Sequence, residues 1–163
     1  VHAGATKHEQ IIDLVDCHRV SLEFFDKNRR FALRKGDVVL NRAGEGTIGK
    51  SGLFTSEERA VFSDFTMRLR FGATMNPRFA WYYFRSIIFQ TQVEREKRGM
   101  GNMTNIFPSQ VERMLIPHCK RDHQDSVVAQ IDTELDKLTW ARKTIQDKQR
   151  EIEDFISHTI ECS

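Results

Sequence analysis

From Asp122 to Ser163 the chain contains neither glycine nor proline, and this stretch limits the fold more than any other. Ile131, Leu138, Ile145, Ile152 and Thr159 recur every seven residues, and Leu135, Arg142, Gln149 and Ile156 form a companion series four residues on. Two interleaved seven-residue series make one seam along a helix, and such a seam calls for a facing helix. At ~1.5 Å per residue the helix would be roughly 60 Å long, too long to lie wholly against a domain built from the other residues. A coiled coil is expected, with Ile131, Leu135, Leu138, Ile145, Ile152 and Ile156 as its apolar contacts. Arg142 and Gln149 are polar breaks in it. The competing reading is an amphipathic helix folded back on its own domain.

Charge divides the chain at the same place. Residues 1–120 carry 19 Lys and Arg against 13 Asp and Glu, whereas residues 121–163 carry 6 against 10. A basic body suits nucleic acid and an acidic tail suits protein, with ordinary solvated surface as the plain alternative. The 163 residues, 39% of them hydrophobic, suit one globular domain, 1–120, plus one extended element, 121–163. No apolar run approaches the length of a membrane span, and the first residues have no apolar leader segment, so neither a span nor a secretory signal is expected. Cys17, Cys119 and Cys162 are odd in number and widely spaced, which favours a reducing compartment, the cytoplasm, over a disulfide framework. His118, Cys119 and His123 match no paired-ligand spacing, so no metal is expected.

The stretch from Gly36 to Ser51 has two incompatible readings. Gly44, Gly49, Lys50 and Ser51 satisfy the G-x-x-x-x-G-K-[ST] pattern of a nucleotide-binding P-loop, after the strand candidate Val38-Val39-Leu40. That chemistry needs Lys50 and Ser51 in the first turn of a helix, whose amides and dipole hold phosphate. Gly52 follows Ser51 directly, and no apolar face at helical spacing comes after it. The second reading is strand, glycine turn, strand, with Arg42 and Lys50 at the two ends of the turn. Such a turn offers backbone amides and cations to a DNA backbone or groove.

The remaining segments sketch an α+β body. A short helix is expected over about 7–16, from the capping-box form of Thr6-Lys7-His8-Glu9 and the spacing of Ile11, Ile12, Leu14 and Val15. Val20, Leu22 and Phe24 alternate as in a strand. Ala60-Val61-Phe62, Thr66 to Phe71 and Met114-Leu115-Ile116 are further strand candidates. In Thr66–Phe71, Met67, Leu69 and Phe71 fall on one face and Arg68 and Arg70 on the other. Asn76-Pro77 is a helix start, and the helix is expected to run to about Arg98, packing Trp81, Tyr82, Phe84 and Ile88 on the sheet. Ser109 to Glu112 has capping-box form. After Gly99, the residues Asn102, Thr104 and Asn105, with Lys97 and Arg98 before them, combine cations with short hydrogen-bonding side chains. That set suits phosphate contacts plus base-edge contacts, and a polar loop with Asx-turns is the plain alternative. No nucleophile–base pair, carboxylate pair or metal set stands out, so no catalytic residues are expected.

Four stretches, in order, resemble the specificity subunits of type I restriction-modification systems. They are Lys35 to Phe54, Pro77 to Phe84, Gly101 to Ile106, and Leu115-Ile116-Pro117 with Gln124 and Val127 to Ile131. Together they cover about Phe31 to Ser163. The family's proline-rich turn and Glu-Gln pair before the long helix are replaced here by His118 to Gln124, which keeps only the glutamine, and the first thirty residues match weakly. The resemblance implies a target recognition domain, with a mixed β-sheet packed with helices, followed by a helix that forms an antiparallel coiled coil. It implies a non-enzymatic subunit that reads one half of a bipartite site in double-stranded DNA. Arg42, Lys50, Lys97 and Arg98 would contact phosphate, Arg42 or Lys50 alternatively a guanine edge, and Asn102, Thr104 and Asn105 would read or position bases. The implied partners are methyltransferase and restriction subunits, which carry the S-adenosylmethionine and ATP, and a second recognition domain or second copy through the long helix. The recognition domain of a fused restriction–methylation enzyme and a plain coiled-coil adaptor remain alternatives, as does the P-loop.

Overall fold

The computed structural model describes residues 1–6, 11–15 and 17–161. They form two compact units, Val1–Asp125 and Ser126–Ser163. The first is α+β. Helices α1 (Ala3–Thr6) and α2 (Leu22–Lys27) precede strands β1 (Val38–Asn41), β2 (Ser51–Leu53) and β3 (Thr66–Leu69). Helices α3 (Pro77–Phe84), α4 (Ile87–Glu96) and α5 (Pro108–Val111) follow.

The sheet order is β2-β1-β3, antiparallel throughout, with Val38 opposite Leu53 on one side and Leu69 on the other. The central strand is a continuous apolar run because both of its faces are covered. Val38 and Leu40 lie in the main core with Met67, Trp81, Phe84, Phe89 and Val93. Val39 lies in a second cluster with Ile12, Leu33, Phe54 and Ala60. Asp37, buried at the entry to β1, accepts from the Arg34 amide at 2.7 Å and from Arg70 Nε and Nη2 at 2.7 and 2.6 Å. The carboxylate holds the Arg70 guanidinium above its ordinary pKa, chiefly by the hydrogen bond. Arg70 is thus a clamp on the strand entry, and Arg68 bonds the Ala32 carbonyl at 2.6 Å.

Helix α3 starts where the sequence places it. Asn76 Oδ1 accepts from the Arg78 and Phe79 amides, and Pro77 opens the first turn. It does not continue to Arg98. Ser86 Oγ accepts from the Phe89 amide and starts a new helix, and Gln90 Nε2 caps the freed Phe84 carbonyl at 2.7 Å. The break changes the helical phase, so Phe89 and Val93 are buried while Ile88 is exposed.

Five other expectations need correction. Residues 7–10 and 16 lie outside the described part, but residues 11–15 are not helical: Ile11 pairs parallel with Leu53, and Ile12 donates to the Leu53 carbonyl. The alternation at Val20, Leu22 and Phe24 belongs to no strand. All three side chains are exposed, and Ser21 caps α2 by accepting from the Phe24 amide. Val61 makes a single bridge to Ala32 rather than a strand. Leu115 forms no ladder because side chains take its backbone: Gln92 and Tyr83 donate to its carbonyl, and its amide donates to Gln92. Helix α5 begins at Pro108, one residue before Ser109, with Gln110 Oε1 accepting from the Phe107 amide.

The last helix, α6 (Arg121–Glu161), runs without interruption. Its first turn is bonded to the end of the sheet's connection to α3. Gln124 is fully buried; its Oε1 accepts from the Asn76 amide at 2.7 Å, and its Nε2 donates to the Thr74 and Cys119 carbonyls. In the second unit Leu138, Ile145, Ile152 and Ile156 are all more than half exposed. Ile131 and Leu135 are half-buried, and the side chain of Thr159 lies outside the described part. No helix among the described residues is long and apolar enough to cross a membrane.

Candidate nucleic-acid interface

Strand β1 ends at Asn41 and the chain turns through Gly44, Gly46 and Gly49, all at positive φ, before β2 begins. Gly49 is required twice over. Its φ is +80°, and a Cβ there would stand 2.8 Å from Val93 Cγ1 of α4. The turn closes on itself: the amides of Thr47 and Ile48 donate to the Gly44 carbonyl, that of Gly49 to Asn41, and that of Lys50 to Thr47.

These bonds decide against the P-loop. Ser51 opens a strand, not a helix, so no helix N-terminus faces the turn. Its hydroxyl is buried and unpaired, and the turn's amides point at protein carbonyls instead of a common centre. The same bonds correct part of the rival reading, since only the amides of Ala43, Glu45 and Gly46 are left to offer among the described residues.

The second stretch lies against this turn. The Gly44 amide donates to the Thr104 carbonyl at 3.2 Å, the Ile106 amide donates to the Arg42 carbonyl at 2.8 Å, and Ala43 bridges to Asn105. Asn105 also exchanges both backbone bonds with Arg98, at 2.8 and 2.7 Å. Three short segments, 42–44, 98 and 104–106, thereby become one small antiparallel patch. Gly99 closes the loop between them at φ +103°, where a Cβ would fall 2.5 Å from the Met103 carbonyl.

The side chains on this patch differ in their freedom. Lys50 has no ion pair among the described residues and is half-buried at the far end of the turn. Arg98 is exposed, with Nη1 3.2 Å from the Arg95 and Lys97 carbonyls. Lys97 pairs with Glu94 at 2.6 Å. Arg42 Nε donates to the Asp64 carbonyl, which commits one edge of its guanidinium. Asn105 Nδ2 donates to the Met103 carbonyl at 2.7 Å, which ties the side chain to its own loop. Thr104 is buried and its hydroxyl donates to the Gly101 carbonyl at 2.7 Å, so its geometry fits holding the loop rather than touching a base. The side chain of Asn102 lies outside the described part.

Three residues at this patch were not singled out from sequence. Met100 and Met103 are 87% and 80% exposed, on the loop itself. Glu45 stands at the tip of the turn, its carboxylate 3.7 Å from the Cβ position of Gly101. Two methionines at glycines in a polar loop were the available signal. Apolar side chains can meet thymine methyls, and a carboxylate can accept from the cytosine amino group.

The three-stranded sheet, the helix pair α3–α4 and the single long helix can now be set beside known structures. The HsdS subunit from Thermoanaerobacter tengcongensis superposes with a TM-score of 0.67 over 94% of this chain and 39% of that one, at 18% identity. The chain has the HsdS fold. A chain from a structure describing complex assembly and conformational transition of a type I R-M system gives a TM-score of 0.59 at 15% identity, covering 76% of this chain and 29% of that one. The chain therefore spans well under half the length of either solved chain. No family model and no curated protein sequence matches it. The HsdS likeness takes in both units and bears out, at the level of fold, the resemblance that Lys35–Phe54, Pro77–Phe84 and Gly101–Ile106 suggest.

Proposed function

We propose that this chain reads double-stranded DNA as a specificity subunit, or part of one, in a type I restriction-modification system. The observation that carries the reading is the junction of the two loops. The glycine turn and the Arg98–Asn105 loop share one backbone-bonded patch with cations at its margins. The HsdS fold supports it.

In this reading Lys50, Lys97 and Arg98 contact phosphate and fix the register. Arg42 contributes its outer guanidinium edge to phosphate or to a guanine. Asn102, Asn105, Met100 and Met103, with Glu45 from the glycine turn, meet base edges, and Thr104 holds the loop that carries the first four. The first unit reads one half of a bipartite site. The seam of α6 pairs antiparallel with a second such helix, from a second recognition domain or a second copy, and sets the gap between half-sites. Two copies related by a two-fold axis would read an inverted repeat. The chain itself is non-catalytic, and methyltransferase and restriction subunits bring S-adenosylmethionine and ATP to the assembly.

Binding of a mixed-sequence 30-base-pair duplex, followed by fluorescence anisotropy across a salt series, tests the phosphate roles. Lys50→Ala and Arg98→Ala are each expected to lower the slope of log affinity against log salt by about one, alike for all sequences. Slopes equal to that of the wild type for both variants would remove the patch from the interface.

A further inference from the structure

The two edges of the sheet are treated differently. The β2 edge is covered, since Ile11 pairs with Leu53 and the Ile12 amide donates to the Leu53 carbonyl at 2.9 Å. The β3 edge is open. The Asn41 amide donates toward the β2 side, to Lys50, and the Arg42 amide toward the β3 side, to Phe65. By the two-residue alternation of an antiparallel ladder, Val38 and Leu40 bond to β3 and Val39 does not. Arg68, opposite Val39, therefore turns its amide and carbonyl outward. No segment among the described residues pairs with them. Unpaired edges of this kind are templates for another strand.

A groove of about 530 Å³ runs along this edge. Met67, Leu69, Phe84, Val111, Met114 and Ile116 form its apolar wall. Its charged lining is Arg42 and Arg68 against Asp64 and Glu112, neutral in sum, which disfavours a nucleic-acid strand. We propose that the open edge of β3 and its groove take an extended peptide segment of a protein partner, added as a fourth strand. The outward amide and carbonyl of Arg68 bond the peptide backbone, and every second peptide side chain, apolar, enters the groove. The site adjoins the loop patch at Arg42, which borders both, but its strand edge and apolar wall lie outside that patch and the proposal stands without the DNA reading.

The test is panning a random twelve-residue phage-displayed library against the full chain, then titrating synthetic copies of the selected peptides while backbone amide resonances are followed. The expected result is peptides with apolar residues at alternate positions and saturable shifts at 66–70. Amide exchange at Arg68 should slow at least tenfold, and N-methylation of alternate peptide amides should weaken binding at least tenfold. Arg68→Pro, which removes the outward amide together with the side chain's bond to Ala32, should weaken it likewise, whereas Arg68→Ala, which removes that side-chain bond alone, should not. If the Pro variant does not fold, the N-methylated peptides decide alone. Failure to enrich any peptide, selected peptides that shift other residues, or binding indifferent to N-methylation would each overturn the proposal.

Discussion

The two units of this chain dispose of their apolar residues in opposite ways. In Val1–Asp125 a set of large side chains turns inward to make a core: Phe54, Phe89, Leu40, Val38, Val39 and Val93 are all but inaccessible, although others, such as Phe65 and Ile87, stay exposed. In Ser126–Ser163 the seam residues Leu138, Ile145, Ile152 and Ile156 stay in water, with Trp140 and Phe155 beside them at 71% and 74% exposure. Only the first has an apolar core of its own. A lone helix in water draws most of its stability from packing an apolar face, so the second unit calls for a partner. The contrast separates two parts along one chain: a body with its own apolar core, and a helix with an exposed apolar face, which in the proposed function meets another helix.

The sharpest way to break that comparison is to charge the seam. Ile145→Asp should abolish helix-mediated association while the first unit keeps its melting behaviour. Sedimentation of both proteins at micromolar concentration checks it, and a monomeric wild type would remove self-pairing. Next in size is the clamp at the entry to β1. Arg70→Ala leaves the buried Asp37 carboxylate with the Arg34 amide but without its cation; because Arg70 is itself exposed and water can screen the carboxylate, the cost should be about 2 kcal/mol, read by urea unfolding of the first unit. Gln124→Ala strands the Asn76 amide and the Thr74 and Cys119 carbonyls and should cost about 2 kcal/mol. An unchanged midpoint would mean those groups find other partners.

The smallest effects distinguish the glycine turn from a nucleotide site. Ser51→Ala removes a buried, unpaired hydroxyl and should change stability by less than about 1 kcal/mol, in the stabilising direction. A large loss would show that the hydroxyl has a partner. The Asp125 carboxylate lies below its ordinary pKa, chiefly through its bond from Arg121 and then that from Asn76. A lowered folded pKa contributes stability above the ordinary carboxylate range that is lost as pH falls through the folded value. Asp125→Asn should therefore flatten the acid limb of the stability curve, and a limb identical to the wild type's would assign it to other carboxylates.

Local signals carried most of what the sequence revealed. The glycine- and proline-free run became α6, Asn76-Pro77 capped α3, and the alternation of Met67, Leu69 and Phe71 put those three against the main core, though β3 itself ends at Leu69. Where long-range bonds decide the backbone, the sequence misleads. Met114-Leu115-Ile116 reads as a strand, yet Tyr83 and Gln92 claim the Leu115 backbone from two other turns of chain. The helix break at Ser86 rests on one hydroxyl and on Gln90, residues that read equally well mid-helix. The alternation at Leu22 and Phe24 had no buried face behind it. At the candidate interface both loops were legible from composition, because glycines, cations and asparagines cluster in each. Their junction was not, since main-chain atoms of Gly44, Thr104 and Ile106 make it. The burial of Thr104 was hidden for the same reason.

The most direct measurement is selection of bound duplexes from a random DNA pool by the pure chain, without nucleotide, at two salt concentrations. The proposed function predicts enrichment of a short motif, a split inverted repeat if two copies pair through α6, retained at the higher salt. No enriched motif and no binding even at low salt would contradict it.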